Sequence, residues 1–196
     1  MEKSKKMLAI LASPRKDGNV AKMLEIAVEK ACETGNFETV NFVNLYEKNI
    51  TWCKGCMGCK TQCSCVIEDD IKEIERLLKE CDLVAIACPT YFANISAPLK
   101  NMFDRLVGVV FDDNDSFIPK PKLSKKQKYF ILVTCSTPFP FDRIAGQSTG
   151  VVRAIREFFH VSGMRKAGAV IFAGTRNKSE IPRKIIGKIN SIIEGC

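Results

Sequence analysis

Met7-Leu8-Ala9-Ile10-Leu11-Ala12-Ser13-Pro14-Arg15-Lys16-Asp17-Gly18-Asn19 is the stretch on which the fold turns. Its first six residues are continuously apolar, too few for an ordinary helix. The run stops at Ser13-Pro14, so it reads as a buried strand. Over residues 19 to 33, Val20, Met23, Leu24, Ala27, Val28 and Ala31 then recur at helical spacing. The order is strand, polar loop, helix.

The same alternation continues along the chain. Thr39 to Leu45 predicts a second strand, followed from about 47 to 67 by a loop too polar and irregular to pack as either regular element. Asp69-Asp70 opens a helix with Ile71, Ile74, Leu77 and Leu78 on its apolar face, its acids placed at the positive end of the dipole. Leu83 to Cys88 is a third buried strand, and a loop from Pro89 to Ser96 leads into a helix through about Val107. After a lysine-rich, proline-containing stretch at 112 to 128, Tyr129 to Cys135 gives a fourth strand. A helix at about 148 to 161, a strand at about 167 to 173 and a helix at about 179 to 194, with Pro182 in its first turn, complete the series. Parallel strands need crossover helices, so five buried strands alternating with helices imply an α/β fold with a parallel sheet covered on both faces. Ligands of such sheets bind beyond the carboxyl ends of the strands, where the loops starting at Ser13, Pro89 and Cys135 converge.

With 196 residues, 46% of them hydrophobic, the chain suits one domain spanning 1 to 196 that carries the cysteine-rich loop at about 47 to 67. No apolar run approaches the roughly 20 residues needed to cross a bilayer, and Met1 to Lys6 leads into a strand without a cleavage site. The expectation is a cytoplasmic protein without membrane contact. The net charge of +8 is carried by dispersed lysines with no aromatic interleaving, which argues against nucleic acid and for a solubilising surface or a phosphorylated or acidic ligand.

Five of the ten cysteines, Cys53, Cys56, Cys59, Cys63 and Cys65, fall within C-K-G-C-M-G-C-K-T-Q-C-S-C. Disulfide frameworks belong mostly to small secreted domains, so reduced thiols, some of them ligands, are expected here. A short loop with cysteines three apart can wrap one face of a cubane, and thiolates are the soft ligands that iron-sulfur clusters require. A tetrahedral zinc site or free thiols are the alternatives, although zinc modules more often split their ligands into two separated pairs. Cys32, Cys81 and Cys88 read as core residues, and His160 as a packing or dipole-stabilising residue near a helix end. Asp112-Asp113-Asn114-Asp115 lacks the glycine and distal glutamate of an EF-hand and reads as a solvated loop. The loop Ser13 to Asn19 supplies a hydroxyl, a guanidinium and a glycine before a helix N-terminus, whose unpaired N–H groups attract an anion. It has neither the G-x-x-x-x-G-K-S/T of a Walker loop nor G-x-G-x-x-G, and it also suits an ordinary strand-to-helix turn.

Three motifs carry a resemblance: Ser13-Pro14-Arg15-x-x-Gly18-Asn19 after the first strand, the cysteine loop ending Cys65-Val66-Ile67-x-Asp69-Asp70, and Pro89-Thr90-Tyr91-Phe92 running on to Leu99-Lys100-x-x-x-Asp104-Arg105. Over about residues 5 to 107 the chain resembles the NAD(P)H-dependent FMN reductase and iron-sulfur flavoprotein branch of the flavodoxin-like superfamily. The resemblance implies a three-layer sandwich with strand order 2-1-3-4-5. It places Ser13, Arg15, Gly18, Asn19 and Val20 at an FMN phosphate, and Pro89, Thr90, Tyr91, Phe92 and Ala93 along the isoalloxazine. Ser136 and Thr137 form a third wall, unless that segment is only a strand end turning through Pro138 and Pro140. Phe139 and Phe141 either cover the ring or cap the core. Val20 replaces a frequent threonine, and Ala93 a frequent glycine. The cysteine spacing matches the one with which such proteins hold a 4Fe-4S cluster, here through Cys53, Cys56, Cys59 and Cys65, with Cys63 as an alternative fourth ligand. The implied activity is an FMN-dependent oxidoreductase fed by NAD(P)H or ferredoxin, with a small-molecule acceptor and a homodimeric or tetrameric assembly. A cluster-free FMN or quinone reductase is the rival enzyme. A cysteine-rich, metal-binding interaction module without flavin is the rival of another class.

Overall fold

The computed structural model describes residues 5–112 and 118–196, so Asp113, Asn114 and Asp115 lie outside the described residues. Strand β1 (Lys5–Leu11) runs into helix α1 (Asn19–Glu33) and then β2 (Phe37–Asn44). Helices α2 (Gly58–Gln62) and α3 (Ile71–Glu80) precede β3 (Leu83–Pro89), which feeds α4 (Ala97–Arg105) and the short α5 (Val107–Val110). A two-stranded antiparallel ribbon, β4 (Phe111–Asp112) with β5 (Lys120–Pro121), precedes β6 (Lys128–Cys135). The series closes with α6 (Phe141–Ile144), α7 (Gln147–Ser162), β7 (Arg165–Ala173) and α8 (Arg183–Glu194).

The main sheet has five strands in the order β2-β1-β3-β6-β7, all parallel. Leaving the ribbon aside, this is the expected flavodoxin-like order. It also explains the unbroken apolar run at the start: with a period of two, Leu8, Ile10 and Ala12 join the core under α3, α4 and α7, while Met7, Ala9 and Leu11 join the core under α1 and α8. A strand covered on both faces cannot alternate polar with apolar. The chain reverses direction across the sheet between β1 and β3, and the loops leaving the carboxyl ends of β1, β3 and β6 meet there. Stacked rings of Phe103 and Phe158, with centroids 4.0 Å apart, fix the end of α4 against the end of α7, at the opposite edge of the sheet from these loops.

Three local expectations are corrected. The cysteine loop is not wholly irregular, because α2 forms inside it, bounded by Met57 and Cys63, both with left-handed backbone. Cys32 is exposed rather than core: it lies beside Ala31 but turned away from the buried stripe of Val20, Leu24, Ala27 and Ala31. The last helix begins at Arg183 rather than about 179: Pro182 is the cap, with ψ of 141°, and it disfavours helical backbone in the residue that precedes it. Cys81 and Cys88 are buried as expected. Burial pushes both thiols up to about 12, so they are neutral core groups.

Candidate functional site

At the carboxyl edge of the sheet, the loops after β1, β3, β6 and β7 enclose a groove of about 650 Å³. Ser13, Arg15, Gly18 and Asn19 line it from the segment after β1, Pro89, Thr90 and Tyr91 from the end of β3 onward, and Ser136 from the segment after β6. Helix α1 opens on Gly18, extended and without a side-chain cap, so the N–H groups of its first turn are left for a ligand. A Cβ at Gly18 would stand 3.1 Å from Arg15 Cβ, so the missing side chain lets the Arg15 loop fold tightly over the helix start. Ser13 is buried and its Oγ accepts the Arg15 N–H at 3.2 Å, which fixes that loop. Thr90 has its backbone held by the Thr134 carbonyl at 2.9 Å, while its Oγ1 is buried without a partner among the described residues. A buried hydroxyl left unpaired is costly, and in a groove it marks a place where a ligand can complete the bonding.

Not every expected residue lines this groove. Val20 packs into the core under α1 and presents only its backbone to the first turn. Thr137 lines an adjoining hollow with Ser136, Pro138 and Arg176. Tyr91 and Asn94 exchange backbone hydrogen bonds at 3.0 and 2.9 Å around Phe92 and Ala93, whose φ values are +48° and +59°. A two-residue turn with both central residues at positive φ is the form that favours glycine. The Ala93 backbone lies against Gly150 of α7, where a Cβ would come within 1.9 Å of the Ala93 carbonyl. Phe92, Phe139 and Phe141 project into solvent at the rim, so the two phenylalanines beyond β6 do not cap the core.

The segment after β7 is a part of the groove that local sequence reading passed over. Thr175 to Ser179 folds across the start of α1: Asn19 Nδ2 donates to the Lys178 carbonyl at 2.7 Å and Lys22 Nζ to the Ser179 carbonyl at 2.8 Å. Arg15, Lys22, Arg176 and Lys178 therefore line the groove against one acid, Asp17. The signal available was positional, a polar strand-end loop on the same edge of the sheet.

The second feature is a cavity of about 210 Å³ at the far end of α4, and Cys53, Cys56, Cys59 and Cys65 all line it. Cys63 does not. It is exposed, with left-handed backbone, and its Sγ accepts from Lys122 Nζ at 3.3 Å. Cys65 is buried, and Arg105 Nε donates to its Sγ at 2.9 Å. Among the described residues no three Cys, His, Asp or Glu side chains converge as a single ion would require. Helix α5 presses on the cysteine helix α2 through Gly108, where a Cβ would lie 2.1 Å from the Cys59 carbonyl.

Two residues of α4, four apart and so on one face, hold the cysteine loop. Asn101 Oδ1 accepts the Cys53 N–H at 3.0 Å, and its Nδ2 reaches the Ile50 and Thr51 carbonyls at 3.3 Å. Arg105, fully buried, pairs with both oxygens of Asp69 at 2.9 and 3.0 Å. Burial alone would raise the Asp69 pKa, but hydrogen bonds from Arg105 and from the N–H groups of Ile71 and Thr51 outweigh it and hold the carboxyl below its usual value.

Comparison with known proteins gives a consistent neighbourhood. Residues 5–173 match the family of NADPH-dependent FMN reductases. An iron-sulfur flavoprotein of Archaeoglobus fulgidus is 36% identical over 149 residues, which cover 76% of this chain and 63% of that protein. One from Methanosarcina thermophila is 32% identical over 163 residues, 83% of this chain and 77% of the relative. In structure, an FMN-dependent NADH-azoreductase of Bacillus anthracis in complex with FMN superposes with a TM-score of 0.72 at 16% identity, over 97% of this chain and 96% of the other. No helix among the described residues is long and apolar enough to cross a membrane.

Proposed function

The chain belongs to the NADPH-dependent FMN reductase family, and from that premise we propose that it is a flavin-dependent oxidoreductase of the iron-sulfur flavoprotein type, taking electrons from NAD(P)H or ferredoxin and passing them to a small-molecule acceptor. The observation that carries the reading is the groove at the sheet edge, which joins an uncapped helix start, Arg15 and the unpaired Thr90 hydroxyl in one site. A phosphate dianion suits the first-turn N–H groups of α1 together with Arg15, Ser13 and Asn19. The flat ring suits the wall from Pro89 to Ala93, with Ser136 and Thr137 beyond it. Bound flavin supplies the chemistry of accepting electrons in pairs and releasing them singly. The protein's part is to bind it, orient it and shape the site; no side chain here is assigned as general acid or base.

We assign Cys53, Cys56, Cys59 and Cys65 to a 4Fe-4S cluster, which would serve as a one-electron relay. They ring one cavity, as a polynuclear centre with one thiolate per iron needs. Zinc would need four of them within about 2.3 Å of one point. Position favours Cys65 over Cys63 as the fourth ligand, since Cys63 lies outside the cavity. A single cytoplasmic domain, assembled as a dimer or tetramer without nucleic acid or membrane, completes the proposal. A cluster-free FMN or quinone reductase using the same groove is the second reading, favoured by a groove whose lining includes none of the loop cysteines.

An absorption spectrum of protein purified without oxygen, with iron, sulfide and zinc assayed on the same sample, tests both. Flavin bands with a broad iron-sulfur shoulder and about four irons per chain support the relay. Flavin bands without iron leave the second reading, and absence of flavin refutes both.

A further inference from the structure

We propose that α4 carries the device that positions and tunes the metal centre, with Arg105 as its central positioning residue; this rests on the cluster assignment above. The first and last cysteines of the motif are held by one helix face. Asn101 fixes the backbone of Cys53, and Arg105 donates to the sulfur of Cys65. All five N–H groups of the Arg105 guanidinium are used: Cys65 Sγ, the two Asp69 oxygens, and the carbonyls of Thr51 and Ile67. This side chain is buried and all its donors are engaged, which holds its Nε–H on the Cys65 sulfur. Partners of this kind, beyond the ligands themselves, orient the ligands and set the electronics of a metal site.

The direction of the tuning follows from charge. With its thiolates, a reduced cluster carries one more negative charge than an oxidised one, so a hydrogen bond to sulfur and a nearby cation favour reduction. Asp69 opposes this, because it neutralises the guanidinium at the same distance at which it orients it. Arg105 and Asp69 therefore act on the potential with opposite signs, although both stabilise the same loop. Lysine cannot replace the arginine, since an ammonium lacks the planar fork that reaches sulfur, carboxylate and two carbonyls at once.

The test is potentiometric titration of anaerobic wild type, Arg105→Lys and Asp69→Asn, with dithionite supplying the single electron that enters each cluster and no bond to the protein made or broken. Iron content and the flavin potential are read on the same samples. Arg105→Lys is expected to disfavour cluster reduction about tenfold, near 59 mV for a one-electron couple, and Asp69→Asn to favour it, while the flavin potential stays put in both. Should Arg105→Lys shed its iron yet keep FMN, the positioning role stands and the sign is read from Asp69→Asn. Unchanged cluster potentials in both variants, or shifts of the same sign, would overturn the proposal. Wild type prepared without any iron would instead remove the cluster assignment beneath it.

Discussion

Cys63 and Cys65 are two positions apart in sequence and differ in exposure, in partner and in whether they line the cavity. Cys63 closes α2 in a left-handed conformation and faces solvent and Lys122, whereas Cys65 is buried against Arg105 and the cavity. Cys65→Ser is therefore expected to lose most of the iron, and Cys63→Ser to keep it, as measured by iron and sulfide per chain. The opposite outcome would move the fourth ligand to Cys63. Arg15 makes the matching case for the flavin. Its guanidinium lines the groove at the helix start, and removing a charge-assisted hydrogen bond costs about 1.5–3 kcal/mol. Arg15→Ala should weaken FMN binding by that amount in a fluorescence titration while leaving iron untouched. An unchanged affinity would place the phosphate elsewhere.

Among the elements, α4 joins the two sites. It starts just after the turn at Tyr91 to Asn94 and ends at the cysteine cavity, so its nine residues separate the two by roughly 13 Å of helix. Each end depends on a glycine in a neighbouring helix. Gly150 of α7 accommodates the Ala93 carbonyl, and Gly108 of α5 accommodates that of Cys59. In both places the atom that a Cβ would strike is backbone, which cannot swing aside, and overpacking of this kind costs about 1–3 kcal/mol. Gly150→Ala is expected to lower FMN affinity with iron retained, and Gly108→Ala to lower iron content with FMN retained. If both variants lost both groups, the two ends would be one cooperative unit rather than two sites. The same local geometry accounts for Ala93: the turn needs positive φ, which glycine adopts freely and alanine only under strain, and the packing of its carbonyl on α7 holds it there.

For the whole molecule, the buried Arg105–Asp69 pair ties the cysteine loop to the sheet-backed helix layer and makes stability depend on pH. The folded state holds Asp69 ionised below its ordinary value. Its contribution is thus complete above the unfolded carboxylate value of about 3.9, and it is lost as pH falls through the depressed folded value. Breaking one side of a buried pair costs about 3–5 kcal/mol. Urea unfolding of the metal-free protein should accordingly show Asp69→Asn less stable near neutrality, with the gap to wild type closing in the acid range below about pH 3.9. A constant gap across that range would mean that Asp69 acts through its shape rather than its charge.

How much of this was legible beforehand follows from the range over which each signal acts. Met7 to Ala12, buried on alternate sides by α1 and α8 or by α3, α4 and α7, could be read as a central parallel strand because covering both faces leaves an apolar run in the chain itself. That the loops starting at Ser13, Pro89 and Cys135 meet in one groove was legible because they follow strand ends that the topology must bring together, whereas the individual residues came from the family resemblance. Cys32 was misread because adjacent helical positions point some 100° apart, and proximity to an apolar stripe is not membership of it. The sequence alone determined the layered parallel sheet, the loop at its carboxyl edge and the density of thiols. Tertiary structure alone decided which four thiols share a cavity, that Thr175 to Ser179 closes over the start of α1, and that Arg105 bonds Cys65 and Thr51, which lie 40 and 54 residues away. Those contacts join segments with no local periodicity in common, so they exist only once the sheet has set the distances between its helices.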